Sequence, residues 1–138
     1  MVGFAVTWCA AGAARADPAQ DYMLHCMGCH GAQAEGVPGR VPPLARTLGR
    51  FMRTAAGRNY VLRVPGAANS TLTDAQLAQV LNWIDTRFTD AAALGAAVPF
   101  TTAEVAALRH TPLAAVQETR RRVLAELAAT GSAPAAEY

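Results

Sequence analysis

The stretch Cys26-Met27-Gly28-Cys29-His30 decides how the rest of this 138-residue chain is interpreted. It has the form C-x-x-C-H, the attachment pattern of c-type haem. Two cysteines three positions apart can each add to one vinyl group of the same porphyrin. The histidine that follows them directly can then bind the iron as its proximal ligand. We therefore expect one covalently bound haem c, attached through Cys26 and Cys29 and ligated by His30.

Two other kinds of site also use a C-x-x-C pair. A structural zinc ion needs about four nitrogen or sulfur ligands, and outside the motif the chain adds only Cys9, His25 and His110. A redox dithiol of the thioredoxin type would follow a strand in a βαβ pattern, and the sequence shows no such pattern. The residues therefore favour haem over both.

The first sixteen residues have the pattern of an export signal. The apolar run Val2 to Ala14 is followed by Ala14-Arg15-Ala16, an A-x-A cleavage pattern before Asp17. A run of about a dozen apolar residues is too short for a membrane span, which needs about 20. We therefore expect a signal peptide at residues 1–16, no membrane span, and a soluble periplasmic protein.

The remaining chain predicts an all-α fold wrapped around the haem. We expect a haem domain at residues 17–90, a C-terminal helical extension at residues 91–130 and a disordered tail at residues 131–138. The clearest helix follows the capping box Thr73 to Gln76, because Leu77, Val80, Leu81, Ile84 and Phe88 recur at helical spacing. Further helices are predicted from Ala19 to Cys29, with the haem motif at the C-terminal end, around residues 58–64, after Thr101 and from Leu113 to Ala129. Residues 31–50 are rich in glycine and proline and predict a loop that wraps the cofactor.

Arginine is unevenly distributed along the chain. The formal net charge is only +2, which indicates neither a nucleic-acid nor a membrane partner. No acid lies between Glu35 and Asp74, however, and six arginines do: Arg40, Arg46, Arg50, Arg53, Arg58 and Arg63. One interpretation is that one or two of them pair with the haem propionates while the others are solvated. The other is a docking face for an acidic redox partner.

Four elements together resemble the class I monohaem bacterial cytochromes c over about residues 18–88. They are the haem motif ending at Gly31, the loop with Pro42-Pro43-Leu44, the segment Asn59 to Val64, and Leu72-Thr73-Asp74 opening the helix from Leu77 to Phe88. The resemblance implies an all-helical fold in which the first and last family helices cross beside the haem, with one haem edge exposed for electron transfer. Residues 89–130 lie beyond the usual domain of that family.

The sequence departs from this family where the sixth iron ligand is expected. Such cytochromes place a methionine in the loop between the last two family helices, and here residues 65–71 contain none. Four alternatives stay open. They are Met52, the only methionine after the haem motif; Asn69, close to the missing loop; His110 in the C-terminal extension; and an iron with no sixth protein ligand.

Two functions of different class follow from the sequence. The first is a periplasmic carrier of single electrons between a dehydrogenase and a downstream acceptor such as an oxidase, either free or as a dehydrogenase subunit. The absence of a candidate acid/base pair favours this function over an enzyme, and no catalytic residue is assigned. The alternative is a haem protein with an open sixth site that binds a small ligand or has peroxidase-like activity.

Overall fold

The computed structural model describes residues 17–89 and 94–134, and in these ranges the fold is all-α, as the sequence predicts. The expected signal peptide lies outside the described residues, as do the last four residues of the expected tail, 135–138. The helices are α1 (Pro18–His25), α2 (Met27–His30), α3 (Leu48–Phe51), α4 (Ala55–Arg63), α5 (Pro65–Ala68), α6 (Asp74–Phe88), α7 (Thr102–Leu108) and α8 (Val116–Ala129).

Helix α6 forms where the sequence places it, and its start has the predicted cap. The Thr73 side chain accepts a hydrogen bond from the Gln76 backbone amide, and the Gln76 side chain accepts one from the Thr73 amide. Both interactions satisfy amide groups that have no partner within the helix. The apolar stripe of α6 then faces the core, with Leu77, Val80 and Ile84 buried.

Helices α1 and α6 are joined by an aromatic cluster. The Tyr22 ring lies 5.5 Å from the Trp83 ring and 5.9 Å from the Phe88 ring, measured between centroids, and Trp83 contacts Phe88 edge-on at 5.6 Å. These separations are typical of favourable aromatic pairs. The packing agrees with the crossing of first and last family helices that the resemblance implies.

The C-terminal helices fold back onto this core. Val105 of α7 and Val123 and Leu127 of α8 are buried in the same apolar cluster as the earlier helices. Asn82 of α6 pairs with the backbone of Phe100, donating to its carbonyl at 2.9 Å and accepting from its amide at 2.7 Å. Within the expected tail, the Ser132 amide donates to the Leu127 carbonyl at 2.8 Å.

Four of the six clustered arginines donate hydrogen bonds to backbone carbonyls of residues 94–134, which we call the C-terminal segment. Arg50 donates to the Ser132 carbonyl at 3.1 Å, and Arg53 donates to the carbonyls of Leu94 and Gly95. Two more arginines make similar contacts: Arg58 donates to the Val98 carbonyl at 2.6 Å and Arg63 to the Thr111 carbonyl at 2.5 Å.

This arrangement gives four of the six arginines partners within the chain, while pairing with the haem propionates and a docking face for an acidic partner stay predictions. These four arginines are half-buried, so part of each side chain still contacts solvent. Arg40 and Arg46 remain exposed. The sequence could not distinguish these cases, because a carbonyl acceptor forty residues away leaves no mark on side-chain composition.

Candidate haem site

The haem motif does not continue helix α1: it begins at Cys26, the residue between two helices, and runs through the short helix α2. Helix α1 ends at His25, Cys26 has φ −124° and ψ −40°, and α2 begins at Met27. The backbone amides of Cys29 and His30 both donate to the Cys26 carbonyl, at 3.2 and 3.0 Å. The three residues expected to bind haem are therefore held on one turn by their own backbone.

The two cysteines differ in environment. Cys26 is half-buried, whereas Cys29 is exposed, and neither forms a disulfide. Burial, followed by the charges of Asp21 and Cys29, raises the pKa of the Cys26 thiol to about 11. A reactive redox dithiol requires a thiolate with a lowered pKa, so the structure argues against that function for the pair.

The imidazole of His30 is held by a backbone carbonyl from the wrapping loop. Its Nδ1 lies 3.0 Å from the Pro42 carbonyl oxygen. A carbonyl can only accept, so Nδ1 carries the proton and the lone pair is on Nε2. Burial lowers the pKa of His30, while the Pro42 contact opposes that shift. Burial thus favours the neutral form of the ring and the Pro42 contact fixes its orientation, as a proximal iron ligand requires.

A second contact closes the turn after the motif. Gly31 has φ +78°, a conformation that side chains other than glycine rarely adopt, and its carbonyl accepts from the Tyr22 hydroxyl at 2.6 Å. The Gly36 amide donates to the His30 carbonyl at 2.8 Å. The motif is therefore fixed to both α1 and the loop that carries Pro42.

A zinc site is not formed by the described part of the chain. Across residues 17–89 and 94–134, no three His, Cys, Asp or Glu side chains come together in a group that could hold a metal ion. Two thiols and a single oriented imidazole match the donor set of a covalent haem and fall short of the roughly four ligands of structural zinc.

The candidates for the sixth ligand lie in three different places. Met52 is 2% exposed and packs in the apolar core, with its carbonyl accepting from Arg58 at 3.1 Å. Asn69 is exposed in the segment between α4 and α6. His110 is 68% exposed, with Nε2 3.8 Å from the Asp74 carboxylate.

The segment of residues 64–73, which we call the α4–α6 connection, is short and ordered. It contains α5, and its Thr71 hydroxyl lies 3.5 Å from Nδ1 of His25, the residue before Cys26. Its end is held by Arg109, which donates to the carbonyls of Ser70 and Leu72. Neither Arg109 nor the Pro42 carbonyl could be identified from the sequence, because both act through backbone groups of distant segments.

None of the helices in the described ranges combines the length and the apolar character that crossing a membrane requires.

The chain is similar to curated proteins of known class, although no family model matches it. It is 34% identical to a cytochrome c-552 of Thermus thermophilus over 131 residues, covering 82% of this chain and 84% of the relative. A second cytochrome c-552, also from Thermus thermophilus, is 34% identical over 130 residues, covering 81% of this chain and 95% of that protein.

The similarity extends beyond the haem domain expected at residues 17–90. An alignment over 82% of the chain must continue past residue 90, so it includes part of the C-terminal helices. Since 82% of 138 residues is about 113, about 18 of the 131 aligned positions are gaps in this chain. The relative therefore has a corresponding number of residues with no counterpart here.

These findings define the class. The chain belongs to the class I c-type cytochromes, which bind one haem c covalently and transfer electrons instead of catalysing a reaction. Among curated proteins, it is similar to the cytochromes c-552 described above.

Proposed function

We propose that this cytochrome works in the periplasm and carries single electrons from a dehydrogenase to a downstream acceptor such as an oxidase, either freely diffusing or as a dehydrogenase subunit. Cys26 and Cys29 form the two thioether bonds, and His30 is the proximal ligand. The bound haem supplies an iron that cycles between the ferric and ferrous states. The protein supplies attachment, ligand orientation and exclusion of water.

The observation that carries these assignments is the contact between His30 and Pro42. It fixes the orientation of the ring and, in the neutral imidazole, leaves Nε2 as the nitrogen with a free lone pair. A histidine on the surface would gain nothing from such support, whereas an axial ligand gains both a defined tautomer and greater basicity.

The attachment is tested by expression in a host with a c-type cytochrome maturation system. We expect the periplasmic fraction to contain a protein whose haem survives denaturation and whose mass includes one haem. Cys26→Ala and Cys29→Ala should each lose one thioether, while the control Met27→Leu, at a variable position of the motif, should keep both. Covalent haem in the double variant of Cys26 and Cys29 would refute the assignment.

The partner is tested by the kinetics of reduction. A periplasmic dehydrogenase that serves this cytochrome should reduce it stoichiometrically. Because only Arg40 and Arg46 of the clustered arginines are exposed, we expect the rate to fall weakly with salt. A steep decrease would indicate a larger charged docking face than these two residues provide.

We propose Met52 as the sixth ligand, supported by its being the only methionine after the motif and by the Arg58 contact that fixes its backbone. The ferric protein should then show the weak far-red absorption band of sulfur-ligated haem. Met52→Leu, a substitution of similar volume, should remove that band.

An open sixth site is the second candidate, favoured by the α4–α6 connection that contains no methionine. The wild-type ferric protein would then be high-spin without the far-red band, and the ferrous protein would bind carbon monoxide rapidly. Met52→Leu would leave the spectrum unchanged, because Met52 would then serve only to fill the core.

A further inference from the structure

The guanidinium of Arg109 is buried where the C-terminal helices meet the α4–α6 connection. The residue is only 4% exposed. Its two terminal nitrogens donate to the Ser70 carbonyl at 2.6 Å, the Leu72 carbonyl at 2.8 Å and the Asp74 carboxylate at 3.1 Å. These acceptors all belong to residues 70–74. A side chain from the C-terminal helices therefore fixes the backbone of a segment 35 to 39 residues earlier in the chain.

This arrangement is not the most favourable one for stability alone. Burying a guanidinium is costly unless its donors are paired. The Nε donor of Arg109 is buried without a hydrogen-bond partner in the described structure. Natural proteins keep such an unpaired buried donor mainly at positions that serve function as well as stability. Here the two fixed carbonyls of Ser70 and Leu72 suggest that the requirement is geometric.

The segment that Arg109 holds lies beside α1, the helix that ends directly before the haem motif. Thr71, between the two fixed carbonyls, contacts His25 next to Cys26. The wrapping loop approaches the same motif at another point, through Pro42 and His30. Two separate segments therefore flank the attachment site. The loop supports the proximal ligand, so the α4–α6 connection, like the segment that carries Met52, remains available to the opposite face of the haem.

We propose that Arg109 is a positioning residue that fixes residues 69–72 beside the haem and limits the access of external ligands to the iron on the face opposite His30. This inference rests on the proposed assignment of Cys26, Cys29 and His30. It gives the C-terminal helices a role in the chemistry of the site in addition to their contribution to the core.

The test compares variants of Arg109 with a matched control. Arg109→Met removes all three contacts. Arg109→Lys keeps the charge, but a lysine cannot reproduce the planar fork that bridges three acceptors. The control is Arg63→Met, because Arg63 also holds the C-terminal segment, at Thr111, without contacting residues 69–72. All variants are made in full-length, haem-loaded protein that carries Met52→Leu, so that Met52 cannot occupy the sixth position.

The readouts are the association rates of imidazole with the ferric protein and of carbon monoxide with the ferrous protein. We expect Arg109→Met to raise both rates by about tenfold, because residues 69–72 lose their hydrogen bonds to the C-terminal helices. Arg109→Lys should give a smaller increase in the same direction. Arg63→Met should leave both rates within about twofold of the parent.

Equal rates in the parent and both Arg109 variants, or the same increase in Arg63→Met, would overturn the inference while leaving the proposed function intact. If Arg109→Met does not retain haem, the association rates of Arg109→Lys and the parent are compared instead, and equal rates would overturn the inference. Failure of the proposed function looks different, because the parent protein would then carry no covalent haem and show no reversible reduction.

Discussion

The guanidinium of Arg58 and the carboxylate of Glu104 form a two-point ion pair between α4 and α7. Arg58 Nε donates to Glu104 Oε1 at 2.7 Å, and a terminal nitrogen donates to Oε2. The same guanidinium lies 4.2 Å from the centroid of the Phe100 ring. One arginine thus joins the helix before the α4–α6 connection to the start of the C-terminal helices.

Removing this arginine should destabilise the protein clearly. We expect Arg58→Met to lower the free energy of unfolding by about 2–3 kcal/mol, because several partly buried acceptors lose their donor. Glu104→Gln should cost less, since the carbonyl contacts of Arg58 remain. Denaturant unfolding of the haem-loaded protein measures both, with Arg121→Met on the exposed face of α8 as control. Equal stability of Arg58→Met and the control would contradict the structure.

The packing of α8 gives a second prediction. Leu127 is fully buried, so Leu127→Ala should lower the free energy of unfolding by about 2–5 kcal/mol through lost burial and the cavity left behind. Leu124→Ala, at a half-buried position on the same helix, should cost less. If the C-terminal helices were detached in solution, the two variants would unfold at the same denaturant concentration as the parent protein.

Gly57 and Gly66 form a matched pair for a third prediction. A Cβ atom on Gly57 would meet the backbone carbonyl of Phe51, which cannot move as a side chain does, whereas one on Gly66 would meet nothing within 4 Å. We expect Gly57→Ala to destabilise by about 1–3 kcal/mol. Gly66→Ala should be neutral or stabilise by about 0.5 kcal/mol. Thermal unfolding of the two holoproteins checks this, and a reversed order would refute the close approach.

Tyr22 predicts a dependence of stability on alkaline pH. Burial is the main cause that raises the pKa of its hydroxyl from 10.0 to about 12. The charge of Cys26 adds to this only in the haem-free chain, because a thioether carries none, whereas burial acts in the haem-loaded protein too. Because the folded state holds this proton more tightly, the contribution is present below pH 10 and is lost as the pH rises from about 10 to about 12. Wild type should lose stability in this range relative to Tyr22→Phe.

The measurement for Tyr22 is denaturant unfolding of both haem-loaded proteins between about pH 8 and pH 12. Below pH 10 the wild type should be more stable by about 1 kcal/mol, the contribution of the hydrogen bond to the Gly31 carbonyl. A constant difference in the free energy of unfolding between wild type and Tyr22→Phe would show that the hydroxyl has the same pKa in the folded and unfolded states.

Much of the fold could be predicted because the relevant signals are local. The capping box at Thr73 and the apolar stripe from Leu77 to Phe88 depend on neighbours three or four positions apart, and helix α6 matches them. Helix boundaries were less accurate. Residues 58–64 predicted a helix that begins three residues earlier, at Ala55, because Thr54 caps it by accepting from the Gly57 amide.

In the candidate site, too, some features could be predicted from local sequence and others could not. The spacing of Cys26, Cys29 and His30 by itself determined the cofactor class, because attachment of one porphyrin needs two thiols and an imidazole within a few residues. Only the tertiary structure decided what surrounds them. The contacts that position the site are side chains bound to backbone carbonyls of distant residues. They are His30 with Pro42, the arginines that bind the C-terminal segment, and Arg109 with the α4–α6 connection. Every residue offers the same carbonyl whatever its side chain, so the sequence cannot indicate which one is used until the chain has folded.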